Sequence, residues 1–101
     1  KEDCPDIRNT KVIEIIDELA EYNCKVSVYD PWVNTIEAKK EYGIDLLSEV
    51  PLNYYDGIII AVSHKIFKDL GIENIRAFGK PKHVIYDLKY LFAADQVDKR
   101  L

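Results

Sequence analysis

Two groups of residues combine the types and spacing that handle an anionic ligand: Lys1, Asp6 and Arg8 in the opening run, and Asp87-Leu88-Lys89 near the end. A lysine offers an oxyanion a compact point charge, whereas an arginine offers a planar fork that binds two oxygens or stacks. The opening run Lys1-Glu2-Asp3-Cys4-Pro5-Asp6-Ile7-Arg8-Asn9-Thr10 wraps its charges around a proline, just ahead of a helix-capping residue. That is how a charged loop is presented at the carboxyl end of a parallel sheet, where phosphate-bearing ligands bind. The plainer reading is a solvated loop with a weak Asp6–Arg8 surface pair. Lys89, just past a strand, likewise reads on composition alone as a surface lysine beyond a strand end.

Three further positions carry reactive chemistry. Ser63 and His64 follow an apolar run, and an imidazole titrating near neutrality suits an acid, a base or a pocket lining. Asp30 closes a strand pattern in Tyr29-Asp30-Pro31-Trp32. A strand-end acid can hold a ribose, but no Gly-x-Gly-x-x-Gly precedes it, so Asp30 reads as a cap for the next helix with Pro31 in its first turn. Cys4, close to cations, has the surroundings of a nucleophile. Cys24 reads as a small buried hydrophobe and His83 as structural. The two cysteines have no metal-type spacing and read as free thiols of a reducing compartment.

These residues need a frame. Between Thr10 and Tyr22, Val12, Ile13, Ile15, Ile16, Leu19 and Ala20 recur at three- and four-residue steps with charges opposite, which predicts an amphipathic helix capped by Asn9 or Thr10 and ended by Asn23. Lys25–Tyr29 alternates as a strand. A second helix is predicted from Thr35 to Tyr42, stopped by Gly43, with Ile44–Leu47 a short strand or connector. Gly57–Val62 is apolar on both faces, as in a central parallel strand covered on both sides. Helical turns are predicted over Ile66–Leu70 and Ile72–Phe78, punctuated by Gly71 and Gly79, then a strand over His83–Asp87. Strands separated by helices imply crossovers and a parallel sheet.

The chain has 101 residues, the size of one domain, with 48% hydrophobic and 32% charged residues, as in an ordinary globular protein. Fourteen basic against eighteen acidic residues give a net charge of −4. That excludes bulk binding to nucleic acid or anionic membrane, so an anion must meet a local cluster of cations. No apolar stretch approaches a membrane span and no signal peptide is visible. With no methionine and no strand ahead of the first helix, the chain reads as a fragment of a larger protein.

In order and spacing, Lys1, Asp6, Arg8 and Thr10 resemble the loop that opens the C-terminal, UDP-binding domain of the UDP-glucose/GDP-mannose dehydrogenase family: Phe-Lys, a few residues, then Asp-x-Arg-x-Ser/Thr. Three other stretches resemble family segments: Tyr29-Asp30-Pro31, Ala61-Val62-Ser63-His64-Lys65-x-Phe67, and the acid with a basic residue two positions on at Asp87 and Lys89. The resemblance implies an α/β, Rossmann-like three-layer sandwich over residues 1–101, its parallel sheet lacking a first strand upstream of Lys1. It implies that Lys1 and Lys89 contact a UDP-sugar and that Arg8 reaches NAD held mainly by an N-terminal domain. Asp6, Asp30, Ser63, His64 and Asp87 become supporting residues.

A lysine at position 89, where UDP-glucose dehydrogenases carry arginine, is similar to the relatives that oxidise UDP-N-acetylhexosamines for bacterial capsule and O-antigen. The implied enzyme is a cytoplasmic, NAD-dependent 6-dehydrogenase that takes a C6 alcohol to a carboxylate and dimerises through a central domain. Its catalytic cysteine lies in a preceding domain. Neither cysteine here is then the nucleophile (Cys4 stands where relatives often carry Thr), and the isolated domain is expected to be inactive. A UDP-glucose 6-dehydrogenase domain and a non-catalytic nucleotide-binding regulatory module remain as alternatives. A small NAD-binding domain is disfavoured by the missing glycine fingerprint.

Overall fold

A computed structural model describes residues 10–100 of the protein. Lys1, Cys4, Asp6, Arg8 and the cap candidate Asn9 lie outside the described residues. The chain divides into two compact units, residues 10–49 and 50–100.

In the first unit, helix α1 runs Thr10–Glu21 and helix α2 runs Thr35–Tyr42. Asn23, with φ 62°, ends α1 as expected: the amides of Asn23 and Cys24 donate back to the carbonyls of Ala20 and Leu19 at 3.0 and 3.1 Å. Gly43, with φ 68°, ends α2 in the same way, Gly43 N donating to Lys39 O and Ile44 N to Ala38 O. A side chain at that backbone angle is strained, so glycine fits. Val33, Ala38 and Ile44 form a small core, with Ile13, Ile16, Val28 and Leu46 packed against it.

Three expectations for this unit need correction. Lys25–Tyr29 is not a strand: only Val28 pairs, in a single parallel bridge to Leu46, with Leu47 N donating to Val28 O at 2.8 Å. The alternation there is real, but Val26 is exposed and a lone bridge orders one residue pair. Asp30 does not cap α2. Its carboxylate accepts from Trp32 N at 2.9 Å, making a tight turn, while Asn34 caps the helix by accepting from Ile36 N and Glu37 N. Cys24 is exposed rather than buried, because the turn after α1 projects it outward.

The second unit is the sheet. Strands β1 (Tyr55–Ile60), β2 (Gly79–Asp87) and β3 (Lys99–Arg100) pair in that order, both pairs parallel. Helices α3 (Lys65–Leu70) and α4 (Ile72–Arg76) connect β1 to β2, and a 3₁₀ turn at Ala94–Gln96 precedes β3. The mixed helices and open parallel sheet match the expected α/β, Rossmann-like class. The middle strand, however, is β2. Its partner β3 comes from the tail, whose short polar sequence carries little strand signal.

The register sets Ile58 beside Ile85 and Ile60 beside Asp87 on one face. There Ile60, Ile72, Ile75, Ile85, Phe92 and Val97 close the core. Fully burying side chains of this size contributes about 1.5–3 kcal/mol each. The other face carries Ile59 and Val84, 41% and 49% exposed. Leu70 of α3 and Ile72 and Ile75 of α4 all join the first face, so two short helices cover one side of β1 rather than both.

The register is uneven at its start. The step from Tyr55 to Gly57 faces the longer step from Gly79 to Val84, and Lys80–His83 bows out. His83 folds back over Gly79, where an added Cβ would lie 2.5 Å from its ring. Gly79 is therefore a close-approach glycine inside β2 and not the helix stop expected of it. Among the described residues no helix is long and apolar enough to cross a membrane.

Candidate functional site at the carboxyl end of the sheet

β1 and β2 end side by side, the pair Ile60 and Asp87 being extended by Leu88 N donating to Ile60 O at 3.0 Å. The segment after β1 carries Ser63 and His64; the segment after β2 carries Lys89. The parallel sheet thus brings four of the expected residues, Ser63, His64, Asp87 and Lys89, to one edge. That edge is where open parallel sheets bind ligands. Asp30 belongs to the other compact unit, where it shapes a turn. Lys1, Asp6 and Arg8 lie outside the described residues, so their expected roles have no structural counterpart here.

Asp87 is the organising residue. It is fully buried, yet its carboxylate accepts from Lys89 N at 3.1 Å through Oδ1 and from Phe92 N at 2.9 Å through Oδ2. A buried carboxylate is tolerated when amides replace its lost water, and here the bonds also shape the loop. They pin both sides of Tyr90, whose φ of 55° is uncommon for an aromatic residue. The Lys89 side chain is exposed on this clamped loop. His64 precedes the first turn of α3, fully buried with its ring 5.4 Å from that of Phe67, so it stiffens the β1–α3 turn from within.

Sequence reasoning missed three side chains next to this edge, Asp98, Arg76 and Arg100. Asp98 accepts from Ile85 N at 2.8 Å while its own amide donates to Ile85 O, and Arg76 donates to its carboxylate at 3.3 Å. The Ile85 amide first, and then the Arg76 guanidinium, hold the Asp98 carboxyl below its ordinary value, outweighing burial, which acts the other way. Arg76 also donates to Gln96 O at 2.8 Å and meets His83 Nε2 at 3.2 Å. A guanidinium only donates, so Nε2 accepts and Nδ1–H donates to Lys80 O at 2.6 Å. His83 is structural, as expected. Arg100, beside Asp87 across β2 and β3, stacks on Tyr90 and donates to Phe92 O. No local pattern reveals these partners, because each is set by the register of β3.

An open parallel sheet with a helical crossover from β1 to β2 defines an α/β domain of the Rossmann-like type. Residues 1–94 match the UDP-glucose/GDP-mannose dehydrogenase family, UDP binding domain, and the chain belongs to that family. It is 56% identical over all 101 residues to a UDP-N-acetyl-D-glucosamine 6-dehydrogenase of Salmonella typhi and, equally, to one of Pseudomonas aeruginosa. It is 39% identical over 98 residues to Protein CapL of Staphylococcus aureus, 97% of this chain and 23% of that protein. The chain spans about a quarter of the length of these relatives (24% of each 6-dehydrogenase). No solved structure gives a significant match.

The described residues do not fit a dinucleotide. The turn after β1, Ala61-Val62-Ser63-His64, has no glycine to let a pyrophosphate approach the backbone, and the buried His64 ring fills the start of α3.

Proposed function

We propose that this chain is the UDP-sugar-binding part of an NAD-dependent UDP-N-acetylhexosamine 6-dehydrogenase, a cytoplasmic enzyme of polysaccharide biosynthesis. The observation that carries the reading is Lys89, held on a loop clamped by buried Asp87 at the carboxyl end of the sheet. The whole-chain identity to UDP-N-acetyl-D-glucosamine 6-dehydrogenases supports the choice of substrate. In a domain of net charge −4, a diphosphate needs such a local cation. Lys1 provides a second contact to the UDP-sugar. Arg8, oriented by Asp6, reaches NAD held mainly by another domain. Ser63 lines the nucleotide site and buried His64 supports the turn that carries it, while Asp30 keeps a structural role in the turn of its own unit. The oxidation of the C6 alcohol belongs to other domains of a homodimeric enzyme, and this chain contributes binding.

Calorimetric titration of the chain with UDP-N-acetylglucosamine tests the reading. Binding is expected, and Lys89→Ala removes a charge-assisted contact worth about 1.5–3 kcal/mol, weakening it about ten- to a hundredfold. Equal affinity in the wild type and Lys89→Ala would remove Lys89 from the substrate site.

A further inference from the structure

We infer that Arg100 is a positioning residue that sets the Lys89 loop for its anionic ligand, an inference that rests on the reading of Lys89 as the UDP-sugar cation. Tyr90 follows Lys89 directly and sits at φ 55°. An aromatic residue holds that conformation only where its surroundings enforce it. Two groups do so. Asp87 takes the amides of Lys89 and Phe92, on either side of Tyr90. Arg100 places its guanidinium 4.2 Å from the centre of the Tyr90 ring and donates from Nη1 to Phe92 O at 3.3 Å.

The Phe92 residue is thereby held from both ends, its N–H by an anion and its carbonyl by a cation. The register makes this possible, because β3 sets Arg100 beside Asp87. Lys89 hangs from the one loop that Asp87 and Arg100 grip together. A flexible lysine stem loses less freedom on binding when its backbone is already fixed. Arg100 also brings a second positive charge to the same edge, with its guanidinium face on Tyr90 and one N–H on Phe92 O. Both observed contacts are to the loop, so on this inference it acts through the loop rather than on the ligand.

A double-mutant cycle on the chain tests this, with UDP as the titrant and calorimetry as the measurement. Arg100→Ala is expected to weaken UDP binding about three- to tenfold, and Tyr90→Ala by a similar factor. Tyr90→Phe keeps the ring and should restore wild-type affinity. In the Lys89→Ala background, Arg100→Ala should have no further effect, since its contribution runs through Lys89. A reduction of the same size in both backgrounds overturns the inference, because Arg100 would then touch the ligand or act elsewhere.

Amide hydrogen exchange supplies a readout that needs no ligand. Arg100→Ala should speed exchange at Lys89 and Phe92 while Ile85 keeps its protection. Unchanged exchange at Lys89 and Phe92 also overturns it. If the wild-type chain does not bind UDP, the assignment of Lys89 fails on its own, and the exchange result still decides whether Arg100 sets the loop.

Discussion

Residues 10–49 and 50–100 are held together in different ways. In the first unit the polar contacts described above are local, since Asn34 caps the helix that follows it and Gly43 and Asn23 end helices, while the longer-range contacts are apolar packing and a single bridge from Val28 to Leu46. In the second, a carboxylate and two guanidiniums tie separate segments together, Asp98 to Ile85, Arg76 to Gln96 and Arg100 to Phe92. Local capping makes an element without fixing a site. Long-range polar pairing gives the second unit a sheet edge whose loops have defined shapes.

The sharpest way to break this contrast is at Ile85, fully buried in the sheet core. Ile85→Ala should destabilise the chain by about 2–5 kcal/mol in urea unfolding, through lost transfer energy and the cavity left behind. Asn34→Ala removes only a cap and should cost about 1 kcal/mol in the same measurement. A cap substitution as damaging as the core substitution would erase the distinction between the units.

The smallest effect is confined to acid. Asp98 has its carboxyl lowered in the folded state, so its contribution is present above the unfolded value and lost as pH falls through the folded one. The Asp98→Asn variant should therefore show a shallower loss of stability than the wild type on acidification below about pH 4. Equal acid limbs would show that the Ile85 and Arg76 contacts do not favour the ionised form.

The same contrast explains what was legible in the sequence. Both helices of the first unit, the two helices after β1, of which α3 ends at Gly71 as the punctuation indicates, and the parallel pairing of β1 with β2 follow from periodicity and punctuation. The Asn34 cap was also legible: Asn34-Thr35-Ile36-Glu37 has the spacing of a cap followed by a glutamate three residues on. The nearby Asp30-Pro31 pair gave a competing signal, because aspartate shapes turns as readily as it caps helices. The strand expected at Lys25–Tyr29 failed because alternation over so few residues predicts a surface and not a partner. At the candidate site, Asp87 and Lys89 stood out by type and spacing. Tyr90, Arg100, Asp98 and Arg76 did not, since their roles exist only once β3 has paired with β2.

The bow at Lys80–His83 has a practical consequence. It lies at the start of β2, whereas Lys89 lies beyond its end, and the ladder from Gly57 and Val84 onward is regular. Residues there already stand outside the paired register, so a change in length or chemistry at Pro81–Lys82 leaves the Ile58–Ile85 alignment untouched. Lys82 is exposed, and a cysteine in its place would accept a fluorophore or spin label remote from the candidate binding edge. A reporter there would sense tumbling and association of the chain without entering the chemistry it is meant to observe.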